Sequence, residues 1–356
     1  MTKPYDISRF RKGITKSITG ISTGFNDPRT WISTGNYCLN YLISGQFDHG
    51  VPLSKVTCFA GESGSGKSYI CSGNLVKNAQ DQGIFVILMD SENALDESWL
   101  QDLGVDTSED KLLRIGVSMV NDVAKTMFEF VKDYKAEYDG LPDEECPKVL
   151  FVVDSLGMLQ TPTSTDQFQA GNMKGDMGIK AKQLKALVSN TVNMIAPFNI
   201  GLIVTNHTYA SQDMFSPDDK ISGGEGFIYA SSIVIAMRKK KLKQDASGAK
   251  VTDVLGIKAV CKVVKSRYAK PFEQVDVFIP YDTGMDPYSG LFDLFAKTGI
   301  FTKVGNRYKY ISKSTGEEIT QFRKHMTSDF YDTVMSEFTD KDFEVRVDSE
   351  ETEEVT

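Results

Sequence analysis

The 356-residue sequence predicts an α/β protein built around a central, mostly parallel sheet. Three observations carry that expectation. Continuous apolar runs recur along the chain, as strands covered on both faces require. Segments with apolar residues at helical spacing lie between them. The run Val56-Thr57-Cys58-Phe59-Ala60 leads straight into Gly61-Glu62-Ser63-Gly64-Ser65-Gly66-Lys67-Ser68, which fits the phosphate-loop pattern G-x-x-x-x-G-K-[ST] in a strand, loop and helix setting.

In such a loop the glycines let the backbone curl so that successive N–H groups face an anion. Lys67 supplies a point charge to the β- and γ-phosphates, and the Ser68 hydroxyl is placed to meet Mg²⁺. The stretch from Lys67 to Gln82 reads as a helix whose positive N-terminal end lies under the phosphates, with Tyr69 counted among the nucleotide-binding residues. These residues imply binding of ATP or GTP.

The next strand, Ile84 to Met89, ends in Asp90-Ser91-Glu92. Glu92 is therefore a candidate for orienting and deprotonating an attacking water, although a helix cap or loop acid fits the spacing equally well. Val120, Val123, Met127, Phe130, Val131 and Tyr134 mark a helix. Val149 to Val153 then ends in Asp154-Ser155, an apolar strand closed by an acid, which is the Walker-B arrangement that serves the Mg²⁺ shell. An aspartate capping the following helix has the same appearance. Ile179, Leu184, Leu187 and Val188 mark another helix, and Gly201 to Thr205 is a fourth strand ending in Asn206-His207. His207 is placed to sense a γ-phosphate; a hydrogen-bonded structural histidine is the alternative. The connection from 207 to 227 is long for a compact domain, which marks it as functional or disordered. Ile233 to Met237, Ile257 to Val264 and Val275 to Ile279 complete the strands. Arg238-Lys239-Lys240-Lys241-Leu242-Lys243, the most basic run in the chain, reads as a solvated hairpin edge, with contact to nucleic-acid phosphates as the alternative.

These features divide the chain into a basic N-terminal arm (1–34), a core (35–285), a small domain (286–338) with two helical stretches around a hairpin turning at Ser314-Thr315-Gly316, and an acidic tail (339–356). The net charge is −8, but from Glu337 onward nine acids face only Lys341 and Arg346, so the rest is close to neutral. Such a tail is a solubility device or a competitor for a DNA groove. No apolar run reaches membrane-spanning length, and the start Met1-Thr2-Lys3-Pro4-Tyr5-Asp6 lacks a signal peptide's apolar region, so a cytoplasmic protein is expected. The five cysteines are scattered and never in C-x-x-C spacing, which suggests neither a disulfide framework nor a zinc site.

The order Ile32-Ser33-Thr34-Gly35, the phosphate loop, Ser91-Glu92-Asn93-Ala94-Leu95-Asp96, Val152-Val153-Asp154-Ser155, Asn206-His207 and Val263-Val264-Lys265-Ser266-Arg267 resembles the bacterial RecA recombinase family over about residues 32–300. Within it, His207-Thr208-Tyr209, Met214-Phe215-Ser216 and Asp286-Pro287-Tyr288-Ser289-Gly290-Leu291 are similar to the RecA-type recombinases of T-even-like phages. The resemblance implies a RecA-type P-loop ATPase core with a small C-terminal α+β domain. It implies Glu92 as catalytic base, Lys67, Ser68 and Asp154 on phosphates and Mg²⁺, and His207 where RecA carries a glutamine sensor. Asp96 and Trp99 fall at the adenine, and Lys265 and Arg267 reach a neighbouring subunit's ATP. Two loops, about 160–178 and 208–227, would hold single-stranded DNA, with Lys174, Lys182 and Lys185 supplying charge, Gly223 and Gly224 allowing close backbone approach, and Met177, Met214 and Phe215 as wedges between bases. Partners implied are single-stranded DNA, homologous duplex DNA, further copies in a helical filament, a recombination mediator and a single-strand-binding protein. The alternatives are a RecA-fold hexameric helicase, which usually needs an N-terminal domain larger than about 34 residues, a P-loop kinase, which needs an arginine-rich lid, and a filament-forming relative without turnover.

Overall fold

Apolar runs with no polar face need cover on both sides, and the computed structural model, which describes residues 26–171, 178–209, 219–243 and 250–337, meets that need with an eight-stranded sheet between two helical layers. A short strand β1 (Trp31–Ile32) pairs with β2 (Val51–Pro52) across helix α1 (Tyr37–Ser44). Strand β3 (Val56–Gly61) runs into the phosphate loop, a π-helical stretch (Tyr69–Asn74) and α2 (Leu75–Asp81). There follow β4 (Phe85–Asp90), α3 (Glu97–Asp102), β5 (Leu112–Gly116), α4 (Val120–Tyr138), β6 (Val149–Asp154), α5 (Pro162–Gln169), α6 (Ile179–Ile195) and β7 (Ile200–Asn206). A ribbon of β8 (Thr208–Tyr209) and β9 (Lys220–Ile221) leads to α7 (Gly224–Ala230), β10 (Ile233–Leu242), β11 (Gly256–Lys265) and β12 (Gln274–Pro280). The sheet order is β12-β11-β10-β3-β7-β6-β4-β5, parallel from β10 to β5 and antiparallel at the β11 and β12 edge.

Each central strand alternates its side chains between two cores. Val86 and Leu88 of β4, with Leu150 and Val152 of β6, face the layer of α1 and α2. Ile87 and Met89, with Phe151 and Val153, face α4 and α6. Both faces are buried, so both alternating sets must be apolar. Each such side chain contributes about 1.5–3 kcal/mol of burial.

The seven expected strands are present. Strand β10 runs five residues past Met237 because Arg238 to Leu242 ladder with β11, and β5 was not anticipated. The expected arm ended too late: Ile32 and Thr34 are fully buried and Ile32 pairs with Val51, so residues 30–34 belong to the core, while 1–25 lie outside the described residues. At the C-terminal end, α8 (Leu291–Lys297) and α9 (Ser328–Glu337) flank a three-stranded antiparallel sheet, β13 (Thr302–Val304), β14 (Arg307–Ile311) and β15 (Glu318–Gln321). Its Phe295, Phe301, Tyr310 and Val334 join the same apolar cluster as Leu39 and Ile43 of α1. The acidic tail lies outside the described residues. Among the described residues, no helix is long and apolar enough to cross a membrane.

Candidate active site

Parallel strands deliver their loops to one edge, so β3, β4, β6 and β7 bring the phosphate loop, Glu92, Asp154 and His207 together at their carboxyl ends. Gly64 and Gly66 have φ of +73° and +92°, a left-handed backbone that a side chain would strain and that turns the amides of the loop inward. Lys67 is 7% exposed and folds back, its Nζ donating to the carbonyls of Gly61 (2.9 Å) and Glu62 (2.8 Å). Burial pushes its ammonium below the ordinary lysine range, against the opposing pull of Asp154 and, more weakly, Glu92 and Glu62. Ser68 lies in right-handed helical backbone directly after Lys67, and the Ser65 hydroxyl is buried without a hydrogen-bond partner. Tyr69 turns the other way: its hydroxyl accepts from the Met285 amide (3.2 Å).

Asp154 is 4% exposed and its carboxylate accepts from two neutral hydroxyls, Ser72 (2.8 Å) and Thr205. A buried carboxylate held by neutral donors is stabilised by a nearby cation, and with the orphaned Ser65 hydroxyl and the buried Lys67 this donor set fits a Mg²⁺–nucleotide. Glu92 is held from the side by β6 and β7. The Ser155 hydroxyl donates to its Oε1 (2.7 Å), and the His207 Nε2 lies 3.4 Å from both. Ser91 fixes Ser155 in turn, accepting from the Ser155 amide (2.9 Å) and donating to its carbonyl (2.6 Å). The Cδ2 edge of His207 lies against Gly157, where an added Cβ would come within 2.2 Å of it, so only glycine permits this approach.

The site continues into the two candidate DNA loops. Asn206 accepts from the His207 amide (2.9 Å) and donates to the Ser222 carbonyl (2.7 Å), while the Ser222 amide donates to the His207 carbonyl (2.9 Å). His207 is thus hydrogen-bonded to the β8–β9 ribbon at the base of the second loop. Gly223 and Gly224 begin α7 in left-handed backbone, and Gly224 faces open space. Lys182 and Lys185 are exposed on α6, and the Lys185 stem lies over Gly226 of α7. Lys174, Met177, Met214 and Phe215 lie outside the described residues.

Asp96 caps α3, accepting from the Ser98 hydroxyl and the Trp99 amide (3.1 Å), and the Ser98 bond is the main cause of its lowered pKa. Trp99 is half-buried against the core, so its ring serves packing whether or not it also meets a base. Lys265 and Arg267 are not brought to this site. Strand β11 runs antiparallel, Lys265 pairs with Val234, and Val234 pairs with Cys58, so the chain from Lys265 onward heads away from Gly61. The Lys265 Nζ donates instead to the carbonyls of Ile228 (3.1 Å), Tyr229 (2.7 Å) and Ser231 (2.6 Å), closing the end of α7. Burial, then the charge of Arg267, lowers its pKa.

Four features were missed in the sequence: the hydroxyls of Ser72 and Thr205 on Asp154, Ser155 on Glu92, Asp90 under the Glu92 loop, and Lys239. The Lys239 amide donates to the Glu62 carboxylate (3.0 Å) and its Nζ to the Ser63 carbonyl (2.8 Å), pinning the phosphate loop to β10. Its only signal was membership of a basic run.

A sequence profile of the RecA N-terminal domain matches residues 15–286. The chain is 28% identical over 335 residues to the recombination and repair protein of Enterobacteria phage T4, covering 90% of this chain and 79% of that protein. It is 27% identical to Protein RecA of Rhodococcus jostii, covering 89% and 83%, and 26% identical to Protein RecA of Cutibacterium acnes, covering 83% and 78%.

Proposed function

The chain belongs to the RecA family, and from that premise we propose that it is a DNA-dependent ATPase that polymerises on single-stranded DNA and promotes homologous pairing and strand exchange in phage recombination, repair and recombination-dependent replication. The observation that carries the reading is the convergence of Glu92, Ser155 and His207 at the strand ends that carry the phosphate loop, with His207 leading directly from β7 into the ribbon of the second loop.

ATP is the substrate. Residues 61–68 enclose its phosphates, and Lys67 leaves the Gly61 and Glu62 carbonyls to meet the β- and γ-phosphates. When bound, Mg²⁺ neutralises charge on those phosphates, with Ser68 and Asp154 as the residues that would hold it. Glu92 accepts the proton of the attacking water, on a carboxylate aimed by the Ser155 hydroxyl. His207 reports the γ-phosphate to Ser222 and the second loop. Lys265 and Arg267 of one subunit act on the ATP of the next, stabilising the charge that develops during transfer. Asp96 and Trp99 serve the adenine. Lys174, Lys182, Lys185, Met177, Met214, Phe215, Gly223 and Gly224 serve the DNA, and pairing rather than side chains decides homology. The protein works in the cytoplasm of the infected cell, with a mediator and a single-strand-binding protein. Residues 286–338 form a small appended domain.

ATP hydrolysis with and without single-stranded DNA, followed by joint-molecule formation between homologous DNAs, tests the proposal. Stimulated hydrolysis without pairing would favour the helicase reading, and equal rates with and without DNA the kinase.

A further inference from the structure

The loop carrying Glu92 leaves β4 at Asp90, whose carboxylate is buried with its side chain 1% exposed. One oxygen accepts the amides of Glu92 (3.1 Å) and Asn93 (2.8 Å); the other accepts the Leu95 amide (3.3 Å) and the guanidinium Nη2 of Arg114 (2.6 Å). Arg114 comes from β5, the edge strand, where its neighbour Ile115 pairs with Met89. Asn93 turns the loop in the left-handed region that asparagine tolerates, with φ +52°, and one carboxylate fixes the amides on both sides of it. A buried carboxylate is costly unless its oxygens are hydrogen-bonded and paired, and here all four contacts are to one loop and one arginine.

We propose that Arg114, acting through Asp90, is a positioning residue for Glu92, an inference that rests on the reading of Glu92 as the base. Glu92 has two supports: its side chain is aimed by Ser155 from β6, and its backbone is set by Asp90 and Arg114 from β4 and β5. Beyond Leu95 the chain is held independently, because Asp96 caps α3 and Leu100 of α3 is buried. Loss of Arg114 therefore displaces the base while leaving the phosphate loop and α3 in place.

The test uses the full chain on saturating single-stranded DNA, with steady-state ATP hydrolysis and ADP affinity measured side by side. Arg114→Met lowers kcat on the order of 10- to 100-fold, the scale of a sub-ångström to 1 Å misplacement, with KM for ATP and ADP affinity unchanged. Arg114→Lys, which keeps a cation in reach of Asp90, restores most of kcat, and Asp90→Asn reproduces the Arg114→Met loss. Full kcat in Arg114→Met overturns the inference. So does a parallel loss of kcat and ADP affinity without rescue by lysine, which marks a general structural role. Glu92→Gln separates the two readings: inert Glu92→Gln beside a fully active Arg114→Met removes only Arg114, whereas turnover by Glu92→Gln removes the base assignment itself.

Discussion

At the carboxyl ends of β3, β4, β6 and β7 a lysine meets two acids, Lys67 on two backbone carbonyls and Glu92 and Asp154 on hydroxyls, whereas at the far end of β11 two cations neighbour each other, Lys265 on three backbone carbonyls and Arg267 exposed. On the proposed reading the first end receives the phosphates. The second is cationic, and its own chain directs it away from its own phosphate loop. On the proposed reading each end is half a site, and a head-to-tail assembly would join them.

The largest effect should come from the far end. Replacing Lys265 and Arg267 together with alanine removes charge stabilisation of the kind that is worth about 10³-fold or more in phosphoryl transfer. DNA-stimulated kcat should fall by that order while ADP affinity of the single subunit persists. Retained turnover would show that the two ends do not meet.

Next in size is Glu92→Gln, expected to keep nucleotide binding and to lose about 10²- to 10⁴-fold in kcat as a missing general base does. Mixing the two defective proteins sharpens the comparison further. Wild-type Glu92 from one and wild-type Lys265 and Arg267 from the other meet at about a quarter of random head-to-tail junctions. Equal mixtures should therefore regain about that fraction of turnover, whereas a site completed within one chain regains none.

Much of the first end was legible in the sequence, and the reason is local. A phosphate loop after an apolar strand, and acids one to three residues past other apolar strands, are fixed by contiguous residues and by the rule that parallel strands share an edge. Lys239 was not legible, because its closure on Glu62 and Ser63 depends on Met237 pairing with Gly61, a register between segments distant in sequence. Strand β5 was missed for a different reason: Leu113 and Arg114 are exposed, so Leu112 to Gly116 lacks the apolar continuity of a central strand. The positions of Lys265 and Arg267 relative to the phosphate loop came only with the antiparallel direction of β11.

A smaller effect is expected where the proposed sensor His207 adjoins the second candidate DNA loop. Asn206→Ala removes the bond to Ser222 and the one from the His207 amide. At about 0.5–1.5 kcal/mol for each bond, stimulation of hydrolysis by single-stranded DNA should drop several-fold, with ADP affinity retained. Undiminished stimulation would detach the ribbon from the sensing position.

The smallest effect tests whether the C-terminal layer stands apart from both ends. Glu337, at the end of α9, accepts from the hydroxyls of Tyr310, Ser312 (2.8 Å) and Ser314 (2.7 Å) and from the Lys313 amide (2.7 Å). These bonds favour the ionised carboxylate, the Tyr310 bond most, and draw its pKa from the ordinary 4.5 to about 2. A folded pKa below the unfolded one gives stability that is present above pH 4.5 and is lost as the pH falls through about 2. Glu337→Gln should therefore flatten that part of the dependence of Tm on acid, the wild type losing its advantage across the window. Because Glu337 is only partly buried, solvent screening keeps the difference modest. Near neutral pH, DNA-stimulated turnover should be the same in both proteins, since α9 supplies no group to either end of the sheet. A loss of turnover in Glu337→Gln at neutral pH would instead mean that the layer around Phe295 and Tyr310 transmits strain through α1 to the β-sheet it packs on, and the two-ended description would need a third element.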